Sequence, residues 1–202
     1  RTVLERFEAQ KRRDDWLRGR LAARAAVEAL LGTRPAELAI LAAPSGAPAV
    51  QGAPGVVVSL SHGHGRAAAW ALRSGPAGGV PGVDLERVRP RPPGTLRFYL
   101  SPEEREWVAT FEGSAEPNPD RDGPPTPRDR AAVVLWALKE AAFKALRPPR
   151  GLGLLDVSAG LEGPLEAGGG AARVGWRGGL VVRAAALGAT EVQGGWALLP
   201  GD

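Results

Sequence analysis

Two helix-length stretches, each closed by residues that stop helices, limit most strongly what this chain can fold into. Lys11–Leu31 is rich in Arg, Leu and Ala, all strong helix formers, and Gly32 with Pro35 ends it. Its helical apolar spacings are Leu17/Leu21 and Val27/Leu30/Leu31. Arg130–Leu146 is the second stretch, closed by Pro148 and Pro149. Around them stand short apolar runs set off by glycine and proline. Leu38–Ala42, Val56–Ser61 and Ala67–Leu72 read as strands, with Pro44–Pro54 a turn-rich loop and a turn over Ser61–Gly65. Val83–Glu86 reads as a short strand; Leu154–Val157, Arg173–Trp176, Leu180–Leu187 and Trp196–Leu199 read as an antiparallel sheet. Ser101-Pro102-Glu103-Glu104 opens a further helix, with serine as cap, proline in the first turn and glutamate three residues on. Gly113–Pro127, with five prolines, is expected to be a mobile loop. The Gly/Pro cluster Gly75–Gly82 marks the expected boundary between an N-terminal lobe, 1–78, and a C-terminal lobe, 79–202. Periodicity alone supports a mixed α and β class.

Composition narrows the chemistry. The 202 residues include no cysteine, which excludes disulfides, thiolate metal sites and cysteine nucleophiles. His62 and His64 are the only histidines, too few for a multi-histidine zinc centre. Any metal is therefore expected to be a hard cation held by carboxylates. The net charge of +4 is concentrated: residues 1–24 carry eight basic residues against four acidic ones, so the rest of the chain sums to zero. A basic helix facing an anionic ligand explains this, and so does a solvated helix face. Arginine-rich, alanine- and glycine-heavy usage reads as a compositional habit, and no nucleic-acid partner is expected. No run approaches the ~20 apolar residues of a membrane span, and no basic-then-apolar leader is read. With arginine rather than methionine at position 1, the chain is expected to lack some N-terminal residues and to be cytoplasmic.

Several side chains are candidates for chemistry. Asp84 and Glu86 alternate on the expected strand, which would put both on one face about 7 Å apart. They are either a cation-binding pair or solvated acids at a strand end. Glu140 and Lys144 share a helix face, with Trp136 one turn earlier. They are either an exposed ion pair worth about 0.3–0.5 kcal/mol, or a third carboxylate for a metal and a cation for a phosphate. His62 closes an apolar strand at a glycine turn, where backbone N–H groups can meet a phosphate; a structural turn histidine is the alternative. His64 is expected to be exposed. Arg12 and Arg20 could reach a polyphosphate bidentately or bridge neighbouring acids, whereas Arg24 reads as structural. Glu104 is accounted for by the capping box begun at Ser101.

In combination these segments resemble the 4′-phosphopantetheinyl transferase superfamily, in its single-chain, surfactin-type (Sfp-type) branch. Lys11-Arg12-Arg13-Asp14-Asp15-Trp16-Leu17-Arg18-Gly19-Arg20 resembles the family's basic N-terminal helix, and Ser59-Leu60-Ser61-His62 its serine–histidine strand end. Gly82-Val83-Asp84-Leu85-Glu86 is similar to its Gly-x-Asp-x-Glu strand, and Trp136-Ala137-Leu138-Lys139-Glu140-Ala141-Ala142-Phe143-Lys144 to its Trp-x-x-Lys-Glu helix. Glu86 and Glu140 stand 54 residues apart, and the last two motifs are the most specific. The resemblance implies an α+β, pseudo-dimeric, two-lobed fold, each lobe a small sheet packed on a long helix. It implies transfer of the 4′-phosphopantetheine arm of coenzyme A to a serine of an apo acyl or peptidyl carrier protein, releasing 3′,5′-ADP. Asp84, Glu86 and Glu140 would hold Mg²⁺, or Mn²⁺ in its place, on the diphosphate of coenzyme A. Glu140 would also take the serine proton, and Lys144 would contact the phosphate and assist the leaving group. Ser61, His62, Arg12 and Arg20 would bind the nucleotide phosphates. A family glutamate at the start of the second-lobe helix falls on Glu104. A monomer is expected from the internally doubled architecture.

The chain departs from the family where relatives carry a lysine near a Gly-x-Pro turn: Ser45-Gly46-Ala47-Pro48 has none. The segment before the basic helix also reads as short. Two rival functions predict different things. A non-catalytic binder of carriers would have lost one of Asp84, Glu86, Glu140 or Lys144, and all four are present. A magnesium-dependent phosphohydrolase would turn over coenzyme A with no carrier at all.

Overall fold

The computed structural model describes residues 9–74, 79–111, 125–146, 151–162, 170–176 and 191–196. The chain divides into two compact units, Arg1–Leu85 and Glu86–Asp202.

The first unit is built on helix α1, Gln10–Leu31, which ends where Gly32 turns left-handed and donates its N–H to the Glu28 carbonyl. The face that α1 buries is Gly19, Ala23 and Val27, residues four apart and so stacked on one side. Leu17 and Leu21, expected on the apolar face, are instead exposed at 39% and 65%. Small side chains win that face because the helix runs close over a β-hairpin. The hairpin pairs β3, Val56–Gly63, with β4, Arg66–Arg73, in register Gly63↔Arg66. Its two turn residues, His64 and Gly65, both take positive φ (54° and 76°), as a type I′ turn requires. The expected turn over Ser61–Gly65 is therefore shorter, and His62 belongs to the strand, opposite Ala67.

Strands β1, Ala39–Ala42, and β2, Pro48–Gln51, form a second hairpin. This corrects the reading of Pro44–Pro54 as loop throughout. Ala43 donates to the Ala47 carbonyl at 2.8 Å and closes the turn, so the proline at 48 sits at the first residue of a strand, where it is tolerated. Ala23, Val27, Leu38, Ile40, Ala53, Val56, Val58 and Ala71 make the core. The expected strand Val83–Glu86 does not form. Its Val83 N–H donates instead to the Ser59 hydroxyl at 3.1 Å, a side-chain partner in place of a strand ladder.

The second unit begins with the single-turn helix α2, Pro93–Leu96, and helix α3, Pro102–Ala109. The capping box of α3 forms as expected: Glu104 N–H donates to Ser101 Oγ, and Glu104 Oε2 accepts from Ser101 N–H at 2.8 Å. Helix α4, Pro127–Leu146, starts three residues earlier than expected. Thr126 donates its N–H and Oγ1–H to the Asp129 carboxylate, and the Asp129 N–H donates back to Thr126 Oγ1, across the first turn of α4. That capping pair takes residues 125–127 out of the expected loop, the remainder of which, 113–124, lies outside the described residues. From Ala131 to Leu135 every residue of α4 is buried, so it is a central helix rather than a surface one. Leu154–Asp156 is a 3₁₀ turn rather than strand. After it, β5 (Val157–Glu162), β6 (Gly170–Trp176) and β7 (Glu191–Trp196) form an antiparallel sheet in that order. The Leu180–Leu187 run, positions 197–199 and the closing prolines 148 and 149 lie outside the described residues. Leu96, Tyr99, Leu100, Val108, Ala131, Ala132 and Leu135 form the core of this unit, with Trp107, Phe111, Trp136, Leu154 and Ala159 against it. Each unit thus packs small antiparallel strands with a long helix. Among the described residues no helix is long and apolar enough to cross a membrane.

Candidate active site

In the first unit the expected site residues come from α1, β3 and the segment after β4. Ser61, 9% exposed on β3, donates its Oγ–H to Asp84 Oδ1 at 2.9 Å. With Ser59 holding Val83, two buried serines two residues apart on one strand face fix the Val83-Asp84 dipeptide. His62, the next residue, is exposed. Its ring lies against α1 at Gly19: a Cβ placed there would sit 2.6 Å from His62 Cδ2 and 3.2 Å from Leu60 Cδ1. Glycine at 19 is what lets the basic helix lie on the serine–histidine strand end. A glycine inside a long helix, unfavourable by about 1 kcal/mol, is the sequence signal for this close contact.

Arg12 is exposed, while Arg20 is half-buried with its Cζ 5.0 Å from the Trp16 ring centroid. Burial lowers the Arg20 pKa. Its Nε is buried and donates to no atom among the described residues, so this guanidinium retains a donor for an anionic ligand. Arg24 is structural, as expected: Nε reaches Glu28 Oε1 at 2.8 Å and Nη1 the Leu38 carbonyl at 3.3 Å. Its hydrogen bond is the main cause lowering the Glu28 carboxyl, with Arg34 adding to it.

In the second unit Glu86 Oε2 lies 3.3 Å from Arg91 Nη2. Arg91 Cζ stands over the Trp136 ring, 5.3 Å from its centroid. Tyr99 meets that ring edge-on, with centroids 4.3 Å apart and planes at 86°. Burial pushes the Tyr99 phenol up to about 12; Arg91 pulls against this, and Glu86 and Asp129 add to it. Glu140 and Lys144 are both half-buried on α4, rather than the exposed pair that their spacing also allowed.

Lys139, between Leu138 and Glu140, is fully buried. Its Nζ donates to the Tyr99 carbonyl at 2.6 Å and to Glu104 Oε2 at 2.7 Å. Glu104 Oε1 accepts from Ala159 N–H at 3.0 Å. One glutamate therefore caps α3, as expected, and also pairs with α4 and accepts from β5. The sequence pattern alone assigns Lys139 no role.

Magnesium chemistry asks for hard oxygen donors, and Asp84, Glu86 and Glu140 supply only carboxylate oxygens, one of them oriented by Ser61. The donor set fits such an ion. Among the described residues no group of three or more His, Asp or Glu side chains is gathered to hold a metal; Asp84 belongs to the first unit, Glu86 and Glu140 to the second.

Comparison with known proteins accounts for both halves. The family model described as the 4′-phosphopantetheinyl transferase N-terminal domain matches residues 5–72, and that of the 4′-phosphopantetheinyl transferase superfamily matches residues 81–169. A protein of Streptomyces mobaraensis, the 4′-phosphopantetheinyl transferase Svp, is 38% identical over 111 residues. That stretch is 53% of this chain and 40% of the relative, so the chain spans well under two thirds of the relative's length. The two consecutive matches cover most of the sequence and include each motif from the basic helix to Lys144, and the chain belongs to the 4′-phosphopantetheinyl transferase superfamily.

Proposed function

We propose that this chain transfers the 4′-phosphopantetheine arm of coenzyme A to a serine hydroxyl of an apo acyl or peptidyl carrier protein. The observation that carries the reading is the 2.9 Å bond from Ser61 to Asp84. It ties the serine–histidine strand end, beside the basic helix, to the first carboxylate of the Asp-x-Glu motif. Anion-binding and metal-binding residue types are thereby contiguous within one unit.

In this reading Asp84, Glu86 and Glu140 hold Mg²⁺ or Mn²⁺, which supplies charge neutralisation on the diphosphate when bound. Arg20, whose buried Nε has no partner among the described residues, pairs with nucleotide phosphate together with Arg12, Ser61 and His62. Glu140 accepts the proton of the carrier serine as its oxygen attacks the β-phosphorus. A new O–P bond forms, the bond to the bridging diphosphate oxygen breaks, and 3′,5′-ADP leaves with that electron pair. Lys144 offsets the charge growing on the leaving oxygen. Positioning and charge neutralisation suffice for phosphoryl transfer, and no enzyme nucleophile is needed. Residues 1–78 and 79–202 act as the two lobes, and the protein works as a cytoplasmic monomer with coenzyme A and carrier as its partners.

Incubation with coenzyme A, Mg²⁺ and a panel of apo carriers tests this by intact-mass spectrometry. A carrier that gains one phosphopantetheine, with 3′,5′-ADP released, supports it. Coenzyme A cleavage at the same rate with and without carrier would assign a hydrolase instead.

A further inference from the structure

Glu86 is met by a cation that is incompletely used. Arg91 makes a single contact with it, at 3.3 Å, from a side chain only 15% exposed; charge-assisted bonds of this kind are commonly about 2.7–2.9 Å. The Arg91 Nε is buried and has no acceptor among the described residues. What holds the guanidinium is mainly aromatic: it lies over Trp136, which is braced by the buried Tyr99. Arg91 also lines a solvent-open depression of about 330 Å³ with Arg89, Pro90, Pro92 and Thr95, so there is space beside it for the side chain to move off the carboxylate.

We infer that Arg91 is a placeholder cation, a positioning residue that occupies the Glu86 carboxylate in the metal-free protein and withdraws from it when a divalent cation takes that oxygen. The inference rests on the reading of Glu86 as a metal ligand given above. Competition of this kind lowers the apparent metal affinity by the cost of breaking the pair, as any pre-equilibrium does. Removing the charge while keeping a stem over Trp136 therefore tightens metal binding, whereas a purely structural arginine would leave it unchanged or weaken it.

The test is Mn²⁺ binding in the presence of saturating coenzyme A, read by electron paramagnetic resonance as loss of the free-ion signal. Arg91→Met should bind Mn²⁺ about 3- to 10-fold more tightly than the parent protein, the gain expected for removing a partly buried ion pair. Arg91→Lys, which keeps a positive charge beside Glu86, should not reproduce that gain. Glu86→Gln should cancel the gain in the double variant. Unchanged or weaker binding by Arg91→Met overturns the inference and leaves Glu86 as a ligand. A gain that survives Glu86→Gln overturns it as well, because the effect would then be general electrostatics. Failure of the parent protein to bind Mn²⁺ at all would overturn the inference together with the metal-site reading.

Discussion

Lys139 Nζ lies 2.7 Å from Glu104 Oε2 in the interior of the second unit, with the lysine fully buried and the glutamate 5% exposed. The pair joins α3 to α4, while the other carboxylate oxygen reaches β5 through Ala159. Lys139 precedes Glu140, so on a helix the two residues point about 100° apart. Burying and bonding Lys139 fixes the rotation of α4 and with it the direction in which Glu140 and Lys144 project. The fold and the proposed chemistry share that one helical turn.

Removing one partner of a buried pair leaves the other charge without compensation, which costs about 3–5 kcal/mol. Lys139→Met is expected to lower stability by that amount in urea denaturation. Adding Glu104→Gln should cost less than the sum of the single changes, because no charge is then stranded. A Lys139→Met protein within about 1 kcal/mol of the parent would show that the pair does not hold the helices.

Much of this was legible in the sequence, and the failures have identifiable causes. Helix stops at Gly32 and the Ser101–Glu104 capping box depend on neighbouring residues only, and both were read correctly. Val83–Glu86 failed as a strand because alternation carries no information about where an amide finds its acceptor; here Ser59, more than twenty residues earlier, provides it. Leu17 and Leu21 misled because apolar spacing marks a buried face only where the neighbour leaves room for large side chains, and the close hairpin selects Gly19, Ala23 and Val27 instead. Lys139 gave no signal as a buried residue, since lysine ordinarily reads as surface. The Thr126–Asp129 cap was written locally as Thr-Pro-Arg-Asp but was masked by the proline-rich run before it.

Asp84 allows charge to be separated from packing. Asp84→Asn keeps an oxygen to accept the Ser61 hydrogen bond, so a cooperative thermal melt is expected to be retained. Losing the charge should nonetheless lower kcat/KM for carrier modification by at least about 100-fold, since charge neutralisation is a main contributor to phosphoryl transfer. Near-parental turnover by a folded Asp84→Asn protein would remove Asp84 from the metal site.

Glu140 is the proposed base, and a positioned general base is worth roughly 10²–10⁴ in rate. Glu140→Ala should lose activity in that range under single-turnover conditions with a cooperative melt retained. Normal single-turnover rates would assign the serine proton to another group.

Gly19 predicts a binding defect with little loss of stability. A methyl group at 19 would press on His62 Cδ2 and Leu60 Cδ1, and the exposed imidazole is the group free to yield. Gly19→Ala also raises helix propensity by up to about 1 kcal/mol, so the melting temperature should hold or rise. Displacing His62 should weaken coenzyme A binding several-fold in calorimetry, as should His62→Ala. Unchanged affinity in both variants would place the nucleotide away from the α1–β3 contact.

Tyr99 gives the chain an alkaline limit that can be read directly, because it is the one tyrosine in the sequence. Its phenol, with an ordinary value of 10.0, is pushed up to about 12, chiefly by burial. Above pH 10 the unfolded chain gives up that proton while the folded chain keeps it until about pH 12. The stability contributed by the neutral phenol is therefore full below pH 10 and is lost as the pH rises through about 12. Absorbance near 295 nm should report ionisation close to pH 12 in the native protein and near 10 in urea. Tyr99→Phe should flatten the fall in melting temperature between pH 10 and 12. At pH 8 it should cost little, because the Tyr99 hydroxyl is buried without a hydrogen-bond partner among the described residues. An alkaline transition of the same steepness in Tyr99→Phe would assign it to other groups.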